Sequence, residues 1–153
     1  MLKCGQSAGK ILKIMIKINQ IPDEIGFYIT GFVDGEGSFN VSFKIRNDYE
    51  KKIKITACFN ISQKEERILN WIKNILKCGT IRARGDGVFY YEVTNLQTLV
   101  EIIIPFFERF PLRTNKFKSF MVFKEIVMMM NNKEHLTPGG FNKILKIAGK
   151  RQL

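Results

Sequence analysis

The chain contains no apolar run approaching the roughly 18 residues that a membrane helix needs. Its most hydrophobic stretch, "VEIIIPFF", is short and broken by Pro105, so a membrane partner is not expected. Cysteine is scarce too. Cys4, Cys58 and Cys78 show no CxxC spacing, and the single histidine, His135, lies far from all of them. That excludes a disulfide framework and a zinc site and leaves free thiols in a reducing compartment. Acid is under-represented: 14 Asp and Glu stand against 25 Lys and Arg, for a net charge of +11. Such an excess points to a polyanionic partner, nucleic acid or an anionic surface. No internal repeat and no Ser/Gly/Pro tract divides the chain.

What is present suits one folded domain. Hydrophobic residues make up 45% of the 153 positions, with 13 Phe among them, enough for a core. Residues 1–20 carry Lys3, Lys10, Lys13 and Lys17 but no acid and no Arg, and these lysines interrupt any signal-peptide core. The expected organisation is a basic N-terminal arm over 1–20 and a single domain over 21–153.

Pro22 followed by Asp23 and Glu24 predicts a helix over 22–34, because proline fits a first turn and carboxylates there meet the positive end of the helix dipole. From Ser38 the periodicity changes to two. Phe39, Val41, Phe43 and Ile45 share one face, and Ser38, Asn40, Ser42, Lys44 and Arg46 the other. After the turn at 47–50, Ile53, Ile55, Ala57, Phe59 and Ile61 alternate with Lys52, Lys54, Thr56, Cys58, Asn60 and Ser62, which completes a long hairpin. A second helix is predicted over 63–77, starting at Ser62 and ending at Gly79. A second hairpin follows, with strands at 80–84 and 88–94 around Gly85-Asp86-Gly87. The remainder reads as helices: 96–108 bent or shortened by Pro105, one capped by Thr114 and running to about 131, and a basic one opening at Thr137-Pro138.

The outward positions of the first three strands contain no Asp or Glu. A merely solvated sheet face usually mixes charge signs, whereas this one offers Lys44, Arg46, Lys52, Lys54, Arg82 and Arg84. A twisted ribbon fits the DNA major groove, where Lys and Arg reach guanine acceptors, Asn pairs with adenine, and Ser or Thr suit several edges. Ser38, Asn40, Ser42, Thr56 and Asn60 join the expected DNA contacts on that ground. Strand 4 is apolar on both faces, so its orientation stays open, and Phe89 and Tyr91 are candidates for base stacking; Tyr91 is carried with the DNA-contacting set.

Some motifs can be set aside. "GQSAGK" at 5–10 is one residue short of a phosphate loop and has Ile11 where Ser or Thr should hold magnesium. Gly26 and Gly31 each cost a helix interior about 1 kcal/mol relative to Ala, so their presence needs a reason. Gly31 and Gly35, four apart, would let another backbone approach, either within the subunit or across a pair of helices. Glu36 beside a phosphate-binding face is either a turn acid or a magnesium ligand, since magnesium sites combine one or two carboxylates with substrate oxygens.

"YITGFVDGEGSF" resembles the LAGLIDADG motif of homing endonucleases, and the single copy and chain length are similar to the homodimeric branch of that family. The resemblance runs from about residue 22 to 130, through "NISQKEERILNWI", "GTIRARGDGVFYYEV" and "PLRTNKFKSF". It implies an α+β fold with an α-β-β-α-β-β-α core, an antiparallel sheet forming a saddle over DNA, and additional C-terminal helices. Two copies of the motif helix would meet at a dimer axis through Phe27, Thr30, Gly31, Asp34 and Gly35. Glu36 matches the family's metal-binding acid, the Gly35 carbonyl a further ligand, and Asp34 an acid that is structural at the helix end. Gln63 matches a residue that positions active-site water, Arg67 a basic residue near the scissile phosphate, and Lys116 a lysine serving the same site. Mg2+ is the implied cofactor, with Mn2+ another divalent cation of the same use.

The implied activity is site-specific, metal-dependent hydrolysis of double-stranded DNA by an intron-encoded homodimer, at a long and nearly palindromic target. The alternatives on the same fold are an intron-RNA maturase, with RNA as partner, and a DNA-binding regulator that does not cleave. Abundant Ile, Lys, Asn and Phe, all encodable by A/T-rich codons, suggest an organellar gene, in chloroplast or mitochondrion.

Overall fold

The computed structural model describes residues 17–45 and 53–149, together with Gly9. Most of the expected arm therefore lies outside the described residues, as do Arg46, Lys52 and the turn between them. At the end of that arm Ile18 is buried, and its carbonyl accepts a hydrogen bond from Arg109.

Helix α1 spans Asp23–Glu36, with Pro22 as N-cap and the two acids in its first turn. Gly26, Ile29, Thr30 and Val33 are buried, the i, i+3, i+4, i+7 stripe of a helix with one face on a core. The helix runs two residues beyond its predicted end: Gly37, extended at φ −86° and ψ 165°, closes the last turn by donating to the Val33 carbonyl. Glu36 is thus the last helical residue and not part of a loop beyond it, and the chain passes from it directly into a strand.

That strand, β1 (Gly37–Ile45), pairs antiparallel with β2 (Ile53–Gln63) from Gly37↔Ile61 to Ile45↔Ile53. β3 (Thr80–Ala83) and β4 (Phe89–Val93) complete a four-stranded antiparallel sheet in the order β1-β2-β4-β3. Helix α2 (Glu66–Leu76) begins three residues later than predicted, because Ser62 and Gln63 pair with Tyr90 and Phe89 and so extend β2. Pairing with partners 28 and 26 residues away overrides a local helix-start signal.

Beyond the sheet, α3 covers 96–109 as a turn at Leu96–Thr98, a π segment at Leu99–Ile103 and an α segment at Ile104–Arg109. Pro105 has no N–H to donate one turn back, and the widened turn is the local answer, with Ile104 N–H reaching the Leu99 carbonyl. Helix α4 (Lys116–Asn131) starts where the Thr114 hydroxyl accepts from Lys116 N–H at 3.2 Å. Helix α5 (Pro138–Gly149) starts at Thr137, whose hydroxyl accepts from Gly140 N–H at 3.1 Å.

The core lies between the inner sheet face and helices α1, α3 and α4. Phe39 and Phe59 stack at 5.2 Å between centroids, and Phe107, Phe120 and Phe123 close around Phe39 at 5.3 Å each. Because successive strand residues point to opposite faces, burying Phe39, Ala57, Phe59 and Ile61 forces Ser38, Asn40, Thr56, Cys58 and Asn60 outward.

Candidate active site and nucleic-acid interface

The junction of α1 and β1 is held by reciprocal ties to the start of α4. The Asp34 carboxylate accepts from Arg113 N–H at 2.9 Å, Thr114 N–H at 3.3 Å and the Thr114 hydroxyl at 2.7 Å. In return Lys116 Nζ donates to the carbonyls of Val33 at 3.0 Å and Gly37 at 2.6 Å. Asp34 has spent its lone pairs on backbone and hydroxyl donors, a structural job that leaves little capacity for a metal. Glu36, two residues on, is exposed and makes no such tie among the described residues.

Gln63 is the last residue of β2, two beyond Ile61, the partner of Gly37. Gln63, Glu36 and Lys116 therefore gather at one end of the β1–β2 ladder. Gln63 Oε1 accepts from Lys64 N–H at 2.8 Å. Lys116 uses two of the three donors of its ammonium on carbonyls, which leaves one for a phosphate or a water. Arg67 is exposed in the first turn of α2, four residues after Gln63.

Among the described residues no three His, Cys, Asp or Glu side chains cluster for a metal ion. The donors at the helix end are one exposed carboxylate, Glu36, and the carbonyls after Val33, which have no helical N–H four residues on. These are hard oxygens, and one carboxylate with open positions suits magnesium, which keeps waters and takes substrate phosphate oxygens.

Among the described residues, the small positions on the outer face of α1 are uncovered. A Cβ on Gly31 or Gly35 would meet nothing within 4 Å, and Phe27 and Tyr28 are 45% and 55% exposed beside them. Gly26 differs: a Cβ there would sit 2.3 Å from the Phe110 ring, so this glycine serves packing inside the subunit. Thr30, expected at the dimer interface, is buried, and its hydroxyl donates to the Phe110 carbonyl at 2.9 Å. It faces the core because it follows Ile29 on the stripe that Gly26 begins. The residues missed at this surface are Tyr28 and Trp71, whose exposed rings meet edge to face at 5.6 Å. Tyr28 lies three residues before Gly31 on the same helical face, which was the available signal.

On the outer sheet face, Lys44 stands directly opposite Lys54, both exposed. Like charges across a strand pair repel, and a bound anion relieves them. The register also corrects strand 4. Tyr91 pairs with Ile81 on one side and Ile61 on the other, so it faces the core and is fully buried, its ring 6.2 Å from that of Phe59. It is therefore no DNA contact. Its hydroxyl donates to the Cys78 carbonyl at 3.0 Å, and burial pushes its pKa up. Tyr90 and Glu92 take the outer positions instead, and Phe89 falls on the Tyr91 side, opposite Ala83 and Gln63. The inward Ile81 was the clue, because cross-strand partners share a face.

Glu92 means the face is not wholly basic or neutral. Arg82 pairs with it, while Arg84 lies over the Tyr90 ring at 5.0 Å and hydrogen bonds the Tyr90 hydroxyl. Cys58 also faces outward, and its pKa is raised by burial, so the thiol is protonated at neutral pH.

The family model described as LAGLIDADG endonuclease matches residues 29–127. Homing endonuclease I-ApeII of Aeropyrum pernix is 31% identical over 71% of this chain and 65% of its own. DNA endonuclease I-CvuI of Chlorella vulgaris is 32% identical over 73% of this chain and 70% of its own. A 50.9 kDa protein of ND4 intron 1 in Podospora anserina matches at 28%, but this chain spans only 33% of it. The crystal structure of I-LtrWI bound to target DNA aligns with a TM-score of 0.79 at 30% identity, over 86% of this chain and 44% of that one.

Proposed function

Because the chain belongs to the LAGLIDADG endonuclease family, we propose that it is a site-specific double-strand DNA endonuclease of the intron-encoded homing type, acting as a homodimer. The observation that carries this reading is the position of Glu36: an exposed carboxylate at the helix end that leads straight into a strand whose outer face sets Lys44 against Lys54. Lys44, Lys54, Ser42 and Thr56 bind backbone and base edges along the groove. The exposed stripe of Phe27, Tyr28, Gly31 and Gly35 supports a twofold pairing of α1 with its copy, which brings two Glu36 side chains to one axis.

Glu36 and the Gly35 carbonyl would hold the divalent cation, magnesium or manganese. When bound, the ion lowers the cost of activating water and of the charge that develops on the phosphate. Gln63 orients a water at the end of β2. The remaining N–H of Lys116, with the Arg67 guanidinium, stabilises charge on the phosphate oxygens. Asp34 and Lys116 together fix the helix end so that Glu36 is aimed before DNA arrives. Twofold symmetry calls for two equivalent half-sites and a nearly palindromic target.

Relatives with intron-encoded names support an organellar intron as the source of the gene. Incubating the protein with a randomised duplex library, with and without magnesium, tests the activity: recovery of one cleaved sequence family only with metal is the expected result. Specific binding without cutting would favour the regulator, and splicing of an intron transcript the maturase.

A further inference from the structure

The outer sheet face carries two kinds of cation. Lys44 and Lys54 stand opposite one another, and among the described residues no acid is paired to either. Arg82 instead is gripped by Glu92: Nε lies 2.8 Å from Oε1 and Nη2 lies 2.9 Å from Oε2, a two-point contact along one edge of the guanidinium. The acid is on β4 and the arginine on the edge strand β3, diagonal neighbours in the register, since Arg82 faces Tyr90 and Glu92 faces Thr80. The side chain of Arg82 is 67% exposed and that of Glu92 only 21%, so the fork projects outward over a shielded carboxylate.

Resting on the endonuclease reading, we propose that Glu92 is a positioning residue that makes Arg82 a guanine reader in the major groove rather than a phosphate contact. The guanidinium has five N–H donors in a rigid plane. The edge formed by Nε and Nη2 is occupied by the carboxylate. The far edge keeps one N–H from each of Nη1 and Nη2, parallel and spaced to meet guanine O6 and N7 together. An arginine meant for the backbone works by its charge, and a bound carboxylate cancels that charge and repels phosphate. An exposed ion pair of this kind contributes little to stability, so folding alone does not account for it. Asn60, directly across from Glu92 on β2, extends the same row of base-edge chemistry.

The test uses the full-length protein and duplexes selected from a randomised library by the unmodified protein. Binding is then measured for the selected duplex and each of its single-base variants, with Arg82→Ala, Arg82→Lys and Glu92→Ala compared with the parent. The expected result is one guanine in each half-site whose replacement weakens the parent roughly 10-fold or more, with that preference lost in Arg82→Ala. Arg82→Lys keeps the charge, and it binds the panel with the preference flattened. Glu92→Ala also flattens it, while poor targets bind more tightly with a steeper salt dependence, by about one released ion. The inference is overturned if Arg82→Ala weakens all duplexes equally, or if Glu92→Ala leaves the base profile unchanged. A parent that selects no sequence family overturns the endonuclease reading itself, an outcome visible before any variant is made.

Discussion

The ammonium of Lys116 brackets Glu36: it donates to the carbonyl of Val33 at 3.0 Å and to that of Gly37 at 2.6 Å, on either side of the acid. Lys116 therefore orients the helix end as well as presenting charge. Lys116→Met removes the charged donor from both carbonyls and should cost roughly 1.5–3 kcal/mol of stability, the range for hydrogen bonds to charged groups. Urea unfolding measures the loss. Cleavage at a temperature where the variant is folded should fall as well, with half-maximal rate at higher magnesium. An unchanged metal titration with reduced rate would assign Lys116 to phosphate chemistry alone.

Two glycines of α1 should respond in opposite ways. Gly26→Ala drives a methyl into the Phe110 ring, 2.3 Å away, and overpacking of this kind costs about 1–3 kcal/mol. Gly31→Ala meets nothing within 4 Å in the subunit and gains up to about 1 kcal/mol of helix propensity in an isolated chain. Across a helix pair the same methyl separates the backbones, so sedimentation equilibrium should show a weakened dimer. A dimer equilibrium unaffected by Gly31→Ala places the subunit contact elsewhere.

The opposed Lys44 and Lys54 predict a strongly salt-dependent DNA affinity. Replacing both with Ala should reduce the slope of log affinity against log salt by roughly 0.9 per lysine, because each phosphate contact releases condensed counterions. Fluorescence anisotropy across a salt series reads this directly. A slope unchanged in the double variant removes these lysines from the interface.

Much of this arrangement is legible in the sequence because it depends on periodicity. Strict alternation from Ser38 to Ser62 sets the faces of β1 and β2 once a core forms, and helical spacing marks α1 and α4. The sequence is less informative where distant pairing decides. β4 is apolar on both faces, so only its register with Ile81 and Ile61 distinguishes a buried Tyr91 from the exposed Tyr90. The same ladder holds Ser62 and Gln63 in a strand against their local helix signal. Glu36 was identifiable as a special acid by its motif, but its place within the last helical turn follows from the Gly37 closure and the Lys116 tie.

The Tyr91 and Cys78 cluster predicts a loss of stability in alkali. Burial raises the pKa of the phenol and of both described thiols, Cys58 and Cys78. A folded-state pKa above the unfolded one means the stabilisation is intact below the unfolded value. It declines as pH rises past that value, about 8.5 for Cys and about 10 for Tyr. Urea midpoints should be level near neutrality and fall between pH 8.5 and 10.5. Cys78→Ala should remove part of the earlier decline. A midpoint constant to pH 10.5 contradicts a buried phenol and a part-buried thiol that are neutral in the folded protein.

Glu36 is proposed to hold the metal for cleavage without being needed to bind the target. Measuring affinity and single-turnover cleavage of the selected duplex by Glu36→Gln, side by side with the unmodified protein in magnesium, tests it most directly. Binding should be at least as tight, since a negative charge has left the phosphate surface, and cleavage should fall by about two or more orders of magnitude. Cleavage at the unmodified rate would show that the catalytic metal is held by other residues.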